Sequence, residues 1–109
     1  MDEWRTEQVL LETHTRDRNE WIEQANDDFG TVGDYEFLCE CSDTRCTSTL
    51  SLDRYEYEAV RAFSTRFLIA PNHENPEIDE PVFERAGFAV IQKLPGEPAR
   101  LARKSDPRA

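Results

Sequence analysis

Glycine and histidine are scarce, with four glycines and two histidines in 109 residues. Gly30, Gly33, Gly87 and Gly96 stand singly, so the chain has no glycine-rich phosphate loop, no dinucleotide-binding glycine fingerprint and no G-x-S-x-G nucleophile elbow. Two histidines leave little for a histidine-dependent triad, and no catalytic residue is assigned. No apolar run approaches the ~18 residues of a membrane span. The first 30 residues lack the apolar core of a signal peptide, so the sequence reads as a cytoplasmic protein without membrane contact. An excess of positive charge is missing too. With 23 acidic against 13 basic side chains the net charge is −10, which disfavours direct nucleic-acid binding because phosphates would be repelled.

The acidity is concentrated. Residues 1–40 carry 12 acids and 3 bases, a net −9, whereas residues 76–109 carry six of each. Such a face is either a solvated helix or a surface that meets a basic partner. The spacing predicts an α+β fold. A long N-terminal acidic helix (1–30) precedes a compact zinc-binding α+β domain (34–94), in which a small antiparallel sheet carries one packed helix and a metal site staples the whole. A flexible basic tail (95–109), with at most a weak helical turn near Leu101, would follow.

Residues 3–29 contain neither Gly nor Pro and end at Gly30, as one helix should. At 100° per residue, Trp4, Leu11, Ile22 and Phe29 share one direction, with Leu10 and Trp21 widening the stripe, and this is the expected buried face. Thr15 and Arg18 interrupt it. Trp4 and Trp21 are also candidate partner-binding anchors, with packing inside the molecule as the competing expectation. Residues 35–41 alternate as a strand, with Phe37, Cys39 and Cys41 on one side. After turn residues 42–45, residues 46–52 return as its partner. Asp53 and Glu56 spell a capping box for a helix over 53–63, and Leu52 with Tyr57 are spaced as a hydrophobic staple. Phe67-Leu68-Ile69 reads as a buried strand, and residues 82–85 and 88–94 as a second hairpin with Pro81 confined to its edge.

All three cysteines lie in Cys39-Glu40-Cys41-Ser42-Asp43-Thr44-Arg45-Cys46. Cys39 and Cys41 project to one side of a strand, and four further residues suffice to turn Cys46 back to them. Three converging thiolates repel one another unless a cation sits among them. A soft divalent ion suits sulfur, and zinc favours four tetrahedral ligands. His73, aimed from a loop held by Pro71 and Pro76, is the preferred fourth ligand, and His14 is the runner-up. An iron–sulfur cluster would use the same ligands. Ordinary buried cysteines are the competing expectation. A disulfide framework is disfavoured by the odd count. Were the fourth position open, Glu40 or Asp43 would be available as acid or base.

The stretch from Cys39 to Glu74 resembles a group of short, uncharacterised bacterial proteins, mainly actinobacterial. Their pattern of Cys-x-Cys-x4-Cys, a Glu-Tyr-Glu-x-Val-Arg helix and an Arg-Phe-x-x-x-Pro-x-His turn reads here as Cys39/Cys41/Cys46, Glu56–Arg61 and Arg66–His73. The resemblance implies a bacterial cytosolic origin and favours His73 over His14. Three functions fit these features. The first is a zinc-stapled protein–protein interaction module regulating a larger bacterial complex. The second is a transcription-linked regulator that binds polymerase or a sigma factor. The third is a thiol/zinc redox sensor or small metalloenzyme.

Overall fold

The computed structural model describes residues 3–108. The order is α1 (Glu3–Phe29), β1 (Tyr35–Leu38), β2 (Thr49–Leu52), α2 (Arg54–Arg61), β3 (Arg66–Ile69), β4 (Asp79–Arg85), β5 (Phe88–Lys93) and α3 (Glu97–Lys104). The fold is α+β as expected. Its strands divide into two antiparallel sheets, β1–β2 and β3–β5–β4. At 1.5 Å per residue α1 is about 40 Å long, close to the longest dimension of the molecule, 42 Å.

Helix α1 stops at Gly30, whose φ of 81° is cheap only for glycine. Thr31 N–H then reaches Asn26 O at 3.0 Å and Gly30 N–H reaches Asp27 O at 3.2 Å, the Schellman pairing that satisfies the last carbonyls. At α2 the expected capping box is present. Glu56 N–H donates to Asp53 Oδ1 at 2.8 Å and Asp53 N–H to Glu56 Oε1 at 3.0 Å. Asp53→Ala should therefore lower the unfolding free energy by about 1 kcal/mol, read as a shift in denaturant midpoint at unchanged slope. Leu52 and Tyr57, the expected staple pair, are both fully buried in one apolar cluster with Phe37, Phe67 and Ile91. The Tyr57 ring stacks on Phe37 at 4.1 Å between centroids. In the second sheet β5 takes the centre, which its buried Phe88–Ile91 run suits. Pro81 sits in edge strand β4 beside a bulge, where a missing N–H costs little.

Three expectations are corrected. The first strand ends at Leu38 and its partner begins at Thr49, so the cysteines occupy the connection rather than strands. Residues 97–104, expected within a flexible tail, form α3, which packs on α1 and β5 and buries Pro98, Ala99 and Ala102. Its inner side is small and only weakly apolar. Charged side chains reach up to hold it instead. Arg16 Nη2 donates to Ala102 O at 2.8 Å, and Arg61 Nη2 donates to Asp106 Oδ1 at 2.5 Å.

The third correction concerns α1, which is turned the opposite way to its hydrophobic pattern. Its buried residues are Val9, Glu12, Thr13, Arg16, Asn19 and Glu23. Trp4, Leu10, Leu11, Trp21 and Phe29 are exposed, Trp21 by 78% and Phe29 by 87%. At 100° per residue the centres of the two sets lie about 160° apart around the helix. The polar side faces inward because the body offers it partners. Arg16 donates to Ser64 O at 2.7 Å while its guanidinium covers the Phe67 ring at 4.7 Å. Glu12 and Asp79 both ion-pair with buried Lys93. The Asn19 amide donates to Leu38 O at 2.9 Å and accepts Leu38 N–H at 2.8 Å, standing in for a strand along β1.

Candidate metal centre

The β1–β2 connection brings the three sulfurs together by short-range turn chemistry. Cys39 still pairs with the returning chain through its N–H to Ser48 O at 3.2 Å. Asp43 then folds the loop, accepting Arg45 N–H on Oδ1 at 2.9 Å and Cys46 N–H on its carbonyl at 3.0 Å. The Arg45 N–H holds the Asp43 carboxyl below its usual range. The fourth side chain arrives from the end of β3. Asn72 takes a left-handed φ of 69°, tolerated by asparagine, and His73 N–H closes on Ala70 O at 3.1 Å. That turn points the imidazole back at the cysteines, while Ala70 N–H donates to Cys39 Sγ at 3.1 Å.

Cys39, Cys41, Cys46 and His73 consequently offer ligand atoms that all lie within 4.8 Å of one another, and they are placed to hold a metal ion. His73 Nδ1 is 3.5 Å from both Cys39 Sγ and Cys46 Sγ. A tetrahedral ion with bonds of about 2.3 Å to sulfur and about 2.05 Å to nitrogen sets those atoms about 3.6 Å apart. The two imidazole–sulfur spacings thus match those of a tetrahedral coordination sphere. The hydrogen bond from the Cys39 thiol and the neighbouring His73 pull the Cys41 thiol down to about 5, against its burial, while Cys39 is pushed up by its bond to Cys41 and by burial. A thiolate therefore forms readily at this point, as a metal ligand requires.

His14, the other candidate ligand, is not in the cluster. It lies with Leu11 and Arg18 on α1, across a cavity of about 500 Å³ from the cysteine loop. Glu40 is not an acid–base group at the centre. It is buried, its carboxylate accepts Asn19 Nδ2 at 2.7 Å and Leu68 N–H at 2.9 Å, and burial pushes it up to about 7 against those hydrogen bonds. Through it the cysteine loop is fastened to α1 and β3. Sequence reasoning missed this Asn19–Glu40 clamp. The available signal was the run of polar residues Glu12, Arg16, Asn19 and Glu23 at helical spacing. Trp4 and Trp21 are both exposed, so neither packs away inside the molecule. Among the described residues no helix is long and apolar enough to cross a membrane.

Comparison with protein-family models, curated proteins and solved structures gives no match.

Proposed function

We propose that this protein is a zinc-stapled scaffold that presents the outer face of α1 to another protein and regulates a larger complex through that contact. The observation that carries the reading is the inverted helix. Trp4, Leu10, Leu11, Trp21 and Phe29 stand in solvent while ionic and amide side chains of the same helix are buried. A solitary exposed leucine is ordinary, whereas five large apolar side chains on one helix face mark an interaction surface. Zinc is the ion that three thiolates and an imidazole in a tetrahedral arrangement suit best, and four protein ligands make a closed, structural site.

The test separates docking from folding. Trp4→Ala with Trp21→Ala removes exposed side chains, so the unfolding free energy should change by no more than about 0.5 kcal/mol. Capture of the partner by the immobilised protein should be lost. A variant that keeps its partner, or no partner protected on α1 in hydrogen exchange, counts against the reading.

A further inference from the structure

The outer face of α1 carries a second asymmetry, in charge. Around the helix, Glu3, Glu7, Asp17 and Asp28 fall within about 80° on the Leu10 and Trp21 side of the apolar stripe, interleaved with those two side chains, and all four are exposed, while exposed Arg18 lies near the centre of the stripe. The opposite flank holds Gln8, Thr15 and Asn26, which are uncharged. None of the four acids is ion-paired among the described residues, whereas other carboxylates hold cations: Glu77 with Arg5, Asp27 with Arg54, Glu97 with Arg100, and Glu20 and Glu58 with Arg108. Carboxylates are therefore left over on one side of an apolar strip about 38 Å long. Midway along it a hollow of about 430 Å³, walled by Trp21, Ile22, Arg18 and Leu38, has room for a large apolar side chain.

We infer that the occupant of this face is a basic amphipathic helix of another protein, its apolar stripe laid along α1, one bulky side chain in the Trp21 hollow and its lysines or arginines against Glu3, Glu7, Asp17 and Asp28. The inference rests on the docking reading above and adds the chemistry of the partner. A second copy of this chain fits less well. Antiparallel pairing of two α1 helices sets acidic flank against acidic flank, and parallel pairing sets it against neutral amides, so neither satisfies the charge. A basic helix satisfies both features. Such seating follows helix-in-groove recognition, in which the stripe gives affinity and the flanking charge gives orientation and on-rate.

The experiment uses the full zinc-loaded chain and three synthetic 18-residue peptides. One is a leucine/lysine amphipathic helix, the second has glutamate for every lysine, and the third has the lysine composition shuffled to break the stripe. Titration calorimetry should show one leucine/lysine helix bound per chain, at least tenfold more tightly than either of the others. The quadruple variant Glu3→Gln/Glu7→Gln/Asp17→Asn/Asp28→Asn should lose most of that preference, and Leu11→Ala/Trp21→Ala should lose binding altogether. If the glutamate helix binds as well as the lysine one and Trp21 is needed for both, the basic-partner inference falls while the docking reading stands. If the lysine helix binds equally well without Leu11 and Trp21, the attraction is diffuse and both fall. No preference over the shuffled peptide, or a dimer of the free chain that Trp21→Ala dissociates, overturns the inference.

Discussion

Chelation of the metal should abolish cooperative unfolding of this protein, and zinc should restore it at one equivalent per chain. The reason lies in what residues 39–48 and 70–76 do. They contain no strand or helix, yet they join the two sheets. Without an ion the polar join at this seam, beside the shared apolar cluster, consists of Glu40 N–H to Leu68 O at 2.7 Å, Leu68 N–H to the Glu40 carboxylate and Ala70 N–H to Cys39 Sγ. An ion among Cys39, Cys41, Cys46 and His73 would bridge the same seam, with three bonds to the cysteine loop and one to His73. Structural zinc sites contribute about 10–16 kcal/mol at neutral pH, comparable to or larger than the 5–15 kcal/mol that holds a typical domain together. Cys46→Ser and His73→Ala should each lose the bound metal. Because these variants are expected to fold poorly, refolding the native chain with cobalt provides a second readout, since tetrahedral sulfur-rich coordination has its own absorption spectrum. A metal-free protein that melts at the temperature of the metal-loaded one would end the stapling account, and a cobalt site lacking thiolate absorption would end the ligand assignment.

The parts legible in the sequence are those decided by local chemistry. Gly30 ends α1, Asp53 and Glu56 cap α2, and Pro81 stays on an edge strand, because each depends on a few neighbouring backbone groups. The metal cluster was legible for a related reason. Three sulfurs within eight residues can meet through one turn, and the extra histidine was the second available donor type. The orientation of α1 was not legible. Periodicity assumes that apolar residues face inward, and it has no means of weighing Arg16 against the Ser64 and Ala102 carbonyls, or Asn19 against the backbone of Leu38, until those groups are placed in space. The same blindness hid α3, whose docking is carried by Arg16 and Arg61 from other elements rather than by its own hydropathy. Long-range polar contacts between residues 45 and 86 positions apart leave no periodic trace.

Replacing Lys93 by methionine should cost about 3–5 kcal/mol at neutral pH, the cost of leaving buried partners of an ion pair unmatched. The Lys93 ammonium is fully buried between the Glu12 and Asp79 carboxylates, 2.6 Å from Asp79 Oδ1, and lies 4.8 Å from the centre of the Phe67 ring. Without it, α1 and the second sheet would press two carboxylates together out of water, and neither can turn to solvent. The pH dependence follows from the same geometry. Burial already pushes Asp79 up to about 6, and loss of the neighbouring ammonium removes an attraction that favours its charged form. A carboxyl raised in the folded state binds more protons there than in the unfolded chain, so its stabilising effect is present at low pH and is lost as pH rises through the folded value. The loss on Lys93→Met should therefore be smaller at pH 5 than at pH 7.5, measured by urea denaturation of the variant and the parent protein at each pH. Adding Glu12→Leu and Asp79→Asn, which removes both buried charges while keeping an acceptor for Asn75 N–H, should recover much of the loss, since apolar replacement of a whole buried ionic group is often neutral. A loss below about 1 kcal/mol, or one that does not shrink on acidification, would mean that α1 is not seated by this ionic cluster, and the account of its inverted face would need another basis.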